Sequence, residues 1–227
     1  VTASTPLFLL CSAHAAAGLL WVLPLTAQTE EPKEPAPAAP TEVEMKTSMG
    51  SITIEFDAEK APVTVANFLQ YVVAGHYDGT VFHRVVGGYM IQGGGFEKKG
   101  DQLIEKPTGT AIKNEAGNGL RNLEGTIAMA RTDAPDTATA QFFINCKDND
   151  MLDQSPAAAG YAVFGRVTKG MDVVVQINAV PTGVREVAGR LGNGQLRPMP
   201  LKGVPLSDVV IESVRTVPVV PSPSPAK

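Results

Sequence analysis

Apolar and polar side chains alternate strictly in two short runs, Val43-Glu44-Met45-Lys46-Thr47 and Ile52-Thr53-Ile54-Glu55-Phe56, on either side of Met49-Gly50. A period of two places every second residue on one sheet face, so the pattern predicts a half-buried antiparallel hairpin. The period then changes. Pro62 suits a first helical position, and Val65, Phe68, Leu69 and Val72 follow at helical spacing before Gly75, which predicts a helix with a glycine stop. Between residues 75 and 100, eight glycines separate short apolar pieces, the composition of tight turns and close backbone packing. Residues 126–130, 141–145, 162–167 and 209–214 read as strands, and 170–178 as a second helix. Residues 184–205, rich in Gly and Pro, read as a loop insertion. Many short strands with two helices predict a closed β-barrel or a β-sandwich, and the pattern alone does not choose between them.

The ends of the chain differ from its middle. Residues 7–27 (LFLLCSAHAAAGLLWVLPLTA) hold 21 side chains without a formal charge, long enough for an export signal or an uncleaved membrane anchor. No Lys or Arg precedes this run, and Leu25-Thr26-Ala27 offers a tolerable cleavage point before Gln28. Residues 28–42 carry four prolines and no aromatic side chain. Such a segment buries too little surface to offset its ordering entropy, so an extended linker is expected. Residues 217–227 repeat that composition as a tail. Between them, residues 43–216 suffice for one well-buried domain.

Composition then narrows the chemistry. A net charge of −4 without a basic run excludes a phosphate-gripping nucleic-acid surface. Three histidines and two cysteines argue against a His/Cys zinc site and against a disulfide framework. There is no G-x-S-x-G, H-E-x-x-H or P-loop. Gly93-Gly94-Gly95 opens no predicted helix and is not a dinucleotide fingerprint. Asp148, Asp150 and Asp153 lack the glycine bend and terminal glutamate of a calcium loop and read as a solvated loop. Cys146 reads as a buried free thiol and Phe82 and Phe142 as core. The most specific segment is FHRVVGGYMIQGGGF, residues 82–96. Arg84 and Gln92 are eight residues apart, an even number, so along one extended strand they would share a face.

That segment, together with GTIAMAR (125–131), QFFIN (141–145) and GYAVFGRV (160–167), resembles the cyclophilin-type peptidyl-prolyl isomerases in order and spacing. Lys113-Asn114-Glu115-Ala116 and Gly119-Leu120-Arg121-Asn122 resemble the family's bacterial periplasmic branch. The resemblance implies a mainly β fold, an eight-stranded antiparallel barrel capped by two helices. It implies rotation about X–Pro bonds in proline-containing polypeptides, here unfolded exported proteins. No cofactor and no metal are implied, and a monomer is expected, tethered to a membrane if residues 7–27 stay in place.

The resemblance also implies a site. Arg84 matches the catalytic arginine. Tyr89, Met90 and Gln92 match pocket residues, and Ala130, Arg131 and Thr132 match a stretch whose backbone holds the substrate before proline. Gln141 matches a polar contact and Phe143 the floor of the proline pocket. Met151 and Leu152 match a Trp-Leu pair on the rim, and Tyr161 falls where a histidine is usual. His83 matches no catalytic position. Methionine at 151 lacks an indole N–H, so weak cyclosporin binding is expected.

Overall fold

The computed structural model describes residues 42–217. The apolar segment 7–27, the linker up to residue 41 and the tail from residue 218 lie outside the described residues. The chain runs β1 (Glu42–Thr47), β2 (Gly50–Phe56), α1 (Pro62–Val73), β3 (Thr80–Val81), β4 (Arg84–Val86), β5 (Met90–Gly93), β6 (Phe96–Lys99) and β7 (Gln102–Glu105). It continues with β8 (Thr126–Met129), β9 (Phe142–Asn145), a 3-10 turn (Asp150–Leu152), β10 (Val163–Lys169), α2 (Met171–Asn178), β11 (Thr182–Arg190), β12 (Leu196–Pro205) and β13 (Val210–Thr216). Among the described residues no helix is long and apolar enough to cross a membrane.

The alternating runs form the expected hairpin, with Met45 opposite Ile52 in β2 and opposite Val214 in β13. One sheet of thirteen strands results, in the order β12-β11-β7-β6-β3-β13-β1-β2-β10-β8-β9-β5-β4. Residues 80–86 bring its two sides together. At one end of this segment Val81 and Thr80 pair with Val210 and Ile211 of β13. At the other, Arg84, Val85 and Val86 pair with Gln92, Ile91 and Met90 of β5. The sheet is therefore barrel-like and nearly closed. It has more strands than the resemblance implied because the glycine-rich stretch 75–105 breaks into short pieces and residues 182–205 add two.

Inward residues of the strands make the core, with Met45, Ile52, Ile54, Ile91, Ile127 and Ile144 fully enclosed. An aromatic group lies among them: Phe68 of α1 stacks on Tyr77 at 4.8 Å and meets Phe164 at 5.3 Å. The apolar stripe of α1 and Val174 and Ile177 of α2 join the same core. Ala61 cannot cap α1 with its side chain, so a distant carboxylate does it: Glu115 accepts from the Val63 and Thr64 N–H groups at 3.1 and 2.8 Å.

Residues 184–205 correct the sequence reading. They lie in an antiparallel hairpin, β11 against β12, joined to β7 at Ala188 and Ile104. Val187 and Val204 bury against Val81, Phe96 and Leu103. Pro198 and Pro200 stand in β12 opposite Ala188 and Glu186. Prolines are rare in strands, and here they hid the strand pattern. At Gly203, with φ of 76°, β12 abuts β4: a Cβ there would lie 3.0 Å from the Val85 carbonyl oxygen and 3.7 Å from Arg84 Cγ.

Candidate active site

The register builds the site. Arg84 opposes Gln92, Gln92 opposes Phe143, Phe143 opposes Ala128, and Ala128 opposes Val163. Opposed residues of antiparallel strands share a face. Their neighbours Val85, Ile91, Ile144 and Ile127 point into the barrel, so this row lies on its outer surface. There Met90, Ala128, Phe143 and Val163 form a second apolar cluster, flanked by Val86, Tyr89, Leu120, Ala130, Leu152 and Tyr161. Arg84 and Gln92 do share a face, but as partners across a hairpin turning at Gly87-Gly88 rather than along one strand.

A directed chain of hydrogen bonds borders the cluster. Arg84 Nη1 donates to Gln92 Oε1 at 3.2 Å, and Gln92 Nε2 donates to Gln141 Oε1 at 2.9 Å. A guanidinium only donates, so it fixes the sense of both amides: each turns its oxygen toward Arg84 and its nitrogen away. Beside this chain, His83 is 2% exposed and packs on Phe96 at 4.8 Å. Burial lowers its pKa to about 4, against the raising influence of the Val81 backbone and the Gln141 side chain. The ring is therefore neutral at neutral pH and adds no charge beside Arg84.

Most of the residues singled out from the sequence come together here. Met90 and Phe143 are buried, and Tyr89, Leu152 and Tyr161 are half-buried around them. Tyr161 meets Phe143 edge to face at 5.6 Å and carries the Arg131 guanidinium over its ring at 4.5 Å. Arg131 also donates to the carbonyls of Gly160 and Thr132 at 2.9 and 2.8 Å, so it fastens its own loop. The Ala130 and Thr132 N–H groups already donate to the Gln141 carbonyl and to Thr137 Oγ1. Met151 stands apart, 78% exposed.

Sequence reasoning missed the polar brace behind the cluster. Asn145, fully buried, donates to Asn122 Oδ1 and Thr126 Oγ1 and accepts from Asn149 Nδ2 at 2.8 Å. Asn149 Nδ2 also donates to the Tyr89 carbonyl at 3.1 Å. Asp153 accepts from Asn122 and Arg121. Burial would raise the Asp153 carboxyl, but those donors hold it below the usual carboxylate range. The aspartates 148, 150 and 153 thus tie a loop together: Asp148 accepts from the Glu124 N–H and Asp150 from Arg121. From α2, Asn178 accepts from the Gly88 N–H at 2.7 Å and donates to the Val86 carbonyl, bracing the β4–β5 turn. Polar residues look like surface in a sequence; Asn122 and Arg121, within the Gly119–Asn122 motif, and Asn145, closing QFFIN, carried a signal only as parts of family motifs. Cys146 is half-buried, and burial pushes its thiol up to about 12, which leaves it unreactive at neutral pH.

Comparison with known proteins adds the lineage. The family model for cyclophilin type peptidyl-prolyl cis-trans isomerase/CLD matches residues 42–216. A peptidyl-prolyl cis-trans isomerase of Acinetobacter baylyi is 51% identical over 178 residues, 78% of this chain and 89% of that protein. Peptidyl-prolyl cis-trans isomerase A of Dickeya dadantii is 46% identical over 203 residues, 88% of this chain and 96% of that protein. Peptidyl-prolyl cis-trans isomerase B of Escherichia coli is 51% identical over 175 residues, covering 76% and 97%. A solved cyclophilin-type isomerase of Cryptosporidium parvum, crystallised in the presence of the dipeptide Ala-Pro, shares the fold with a TM-score of 0.58. It is 22% identical and is covered to 99%, with 78% of this chain. On the family match and the identity to these bacterial enzymes, the chain belongs to the cyclophilin-type peptidyl-prolyl cis-trans isomerases, a class of enzyme that works without a cofactor.

Proposed function

We propose that this isomerase turns X–Pro bonds on the outer apolar cluster, with Arg84 as catalytic residue, and that its substrates are exported polypeptides. The observation that carries the site is one guanidinium, oriented by two amides, at the border of an apolar patch that lies outside the core.

The chemistry follows from the amide. Resonance gives the peptide bond a barrier of about 18–20 kcal/mol, and X–Pro bonds interconvert over tens to hundreds of seconds. The catalyst needs to favour the twisted amide over both planar forms. On twisting, the proline nitrogen becomes pyramidal and gains a lone pair. A guanidinium donor directed at that nitrogen stabilises the twisted state without transferring a proton. A thousandfold acceleration asks for about 4 kcal/mol, within reach of a charge-assisted hydrogen bond in a partly desolvated site. Phe143, Met90 and Leu152 offer the pyrrolidine ring an apolar seat, and Tyr89 and Tyr161 flank it. The 130–132 stretch grips the chain before proline, so the two sides of the bond are held separately and one turns while the other stays fixed.

Taking β3 and β4 as one bent strand gives the ring eight members, the architecture we assign. Export rests on the charge-free run at residues 7–27 followed by the Pro-rich segment 28–42. This reading places residues 43–216 in the periplasm as a monomeric foldase, free or tethered by that run.

Isomerisation of a short Ala-Pro peptide by the full chain, beside Arg84→Ala, tests the reading. Fast turnover that falls at least a hundredfold in the variant (~2.7 kcal/mol) supports it. A folded wild-type chain without turnover would make this a proline-binding module, and equal turnover in both would reassign the arginine. Cell fractionation tests export: recovery in the cytoplasmic fraction alone refutes it.

A further inference from the structure

The sequence shows three consecutive glycines, and the catalytic reading uses none of them. Two have reasons within the fold. A Cβ on Gly93 would press on Phe82 and Ile211 at 3.1 and 3.3 Å, inside the barrel. Gly94 has φ of +82°, and a Cβ there would meet Tyr77 at 2.9 Å and the Ala140 carbonyl at 3.0 Å. Gly95 is different. Its φ lies outside the left-handed region, so its backbone is open to any residue. The atoms nearest a Cβ there all belong to Gln141: Cδ and Nε2 at 2.6 Å and Cγ at 2.7 Å.

We infer that Gly95 is a positioning residue for Arg84, acting through Gln141; the inference rests on the catalytic reading of Arg84 given above. The bare backbone of residue 95 is the surface on which the Gln141 amide lies. With that seat open, Gln141 turns Oε1 to Gln92 and Nε2 toward Gly95. Gln92 must then present Oε1 to Arg84. A methyl group at 95 fills the seat. The Gln141 amide is the free end of a flexible side chain, so it moves and the backbone does not. Gln92 Nε2 then loses its acceptor, and the single bond from Arg84 is all that holds the sense of the Gln92 amide. When that amide turns over, it faces Arg84 with a donor, and the guanidinium is released. An alanine at 95 therefore acts at Arg84 without touching it.

The test uses the full chain in four forms: wild type, Gly95→Ala, Gln141→Ala and the double variant, with Arg84→Ala as reference. Expected for Gly95→Ala is a folded protein whose kcat/KM is about tenfold lower, the loss of roughly one hydrogen bond at the arginine. The side-chain amide signals of Gln92 should shift in its 1H–15N spectrum. Because Gly95 acts through Gln141, the double variant should be no slower than Gln141→Ala alone. If Gly95→Ala is less stable than wild type, removing the Gln141 side chain should restore stability. Additive losses in the double variant, instability that persists in it, or unchanged kinetics and Gln92 signals in Gly95→Ala would each overturn the inference. Full activity in Arg84→Ala would instead overturn the catalytic reading, so the two failures are told apart.

Discussion

Replacing Asn145 by alanine should be among the most damaging polar substitutions in the domain. The side chain is fully buried at the end of β9, opposite Met90. Truncation removes three hydrogen bonds, to Asn122, Thr126 and Asn149, at 3.2, 2.9 and 2.8 Å. Thr126 is partly exposed and recovers its bond from water. Asn122 is 1% exposed, and its Oδ1 is left without a donor in a dry site. At about 1 kcal/mol for each bond lost, with the added cost of a stranded buried acceptor, the loss is about 3–4 kcal/mol. For a domain of this size that lowers Tm by roughly 10 °C. Asn149 also holds the Tyr89 carbonyl and precedes the turn carrying Leu152, so the rim of the patch loosens with it. Calorimetry and urea unfolding would measure the stability, and peptide kinetics would show KM rising more than kcat falls. A loss below about 1 kcal/mol would refute the reasoning, because the brace would then be replaceable by water.

Other outcomes follow from the same packing. Glu115→Ala removes the cap of α1 and should cost about 1–2 kcal/mol, with Glu115→Gln intermediate, read as urea midpoints. His83 should make stability fall on acidification: its folded pKa of about 4 lies below the unfolded value of 6.5. The unfolded chain binds the proton first, so stability is full above pH 6.5 and declines down to about pH 4, by up to about 1.4 kcal/mol per pH unit. His76, also lowered by burial, adds to the same slope. His83→Gln should flatten the profile between pH 6.5 and 4.5, and an unchanged slope would assign the effect elsewhere.

The parts of the fold that could be read from the chain are those where one physical signal dominates. Alternation in 43–56 had only one sheet solution, and the spacing of Val65, Phe68, Leu69 and Val72 only one helical face. The outer cluster was legible only through resemblance, since Met90 and Phe143 read singly as ordinary core. The parity of Arg84 and Gln92 gave the right face for the wrong reason, because a hairpin and a straight strand share it. The β11–β12 hairpin was hidden by its prolines. The Asn145 brace was hidden because burial of an asparagine depends on partners 19 to 23 residues away in sequence. Gly95 needed coordinates outright: no pattern tells a glycine that frees a backbone from one that clears a seat for another side chain.

The prolines of β12 have a further consequence. β12 is the last strand of the sheet, bonded on one side to β11. Pro198 and Pro200 have the same parity and no N–H, so they fit the ladder only with their nitrogens turned away from β11. The outer margin of the strand therefore lacks donors at two successive outward positions. An extended chain that tried to dock there as one more strand would find its carbonyls unanswered. For an enzyme whose substrates are polypeptides, this keeps the strand from templating their aggregation and is consistent with the apolar patch beside Arg84 being, as we propose, where a chain is held.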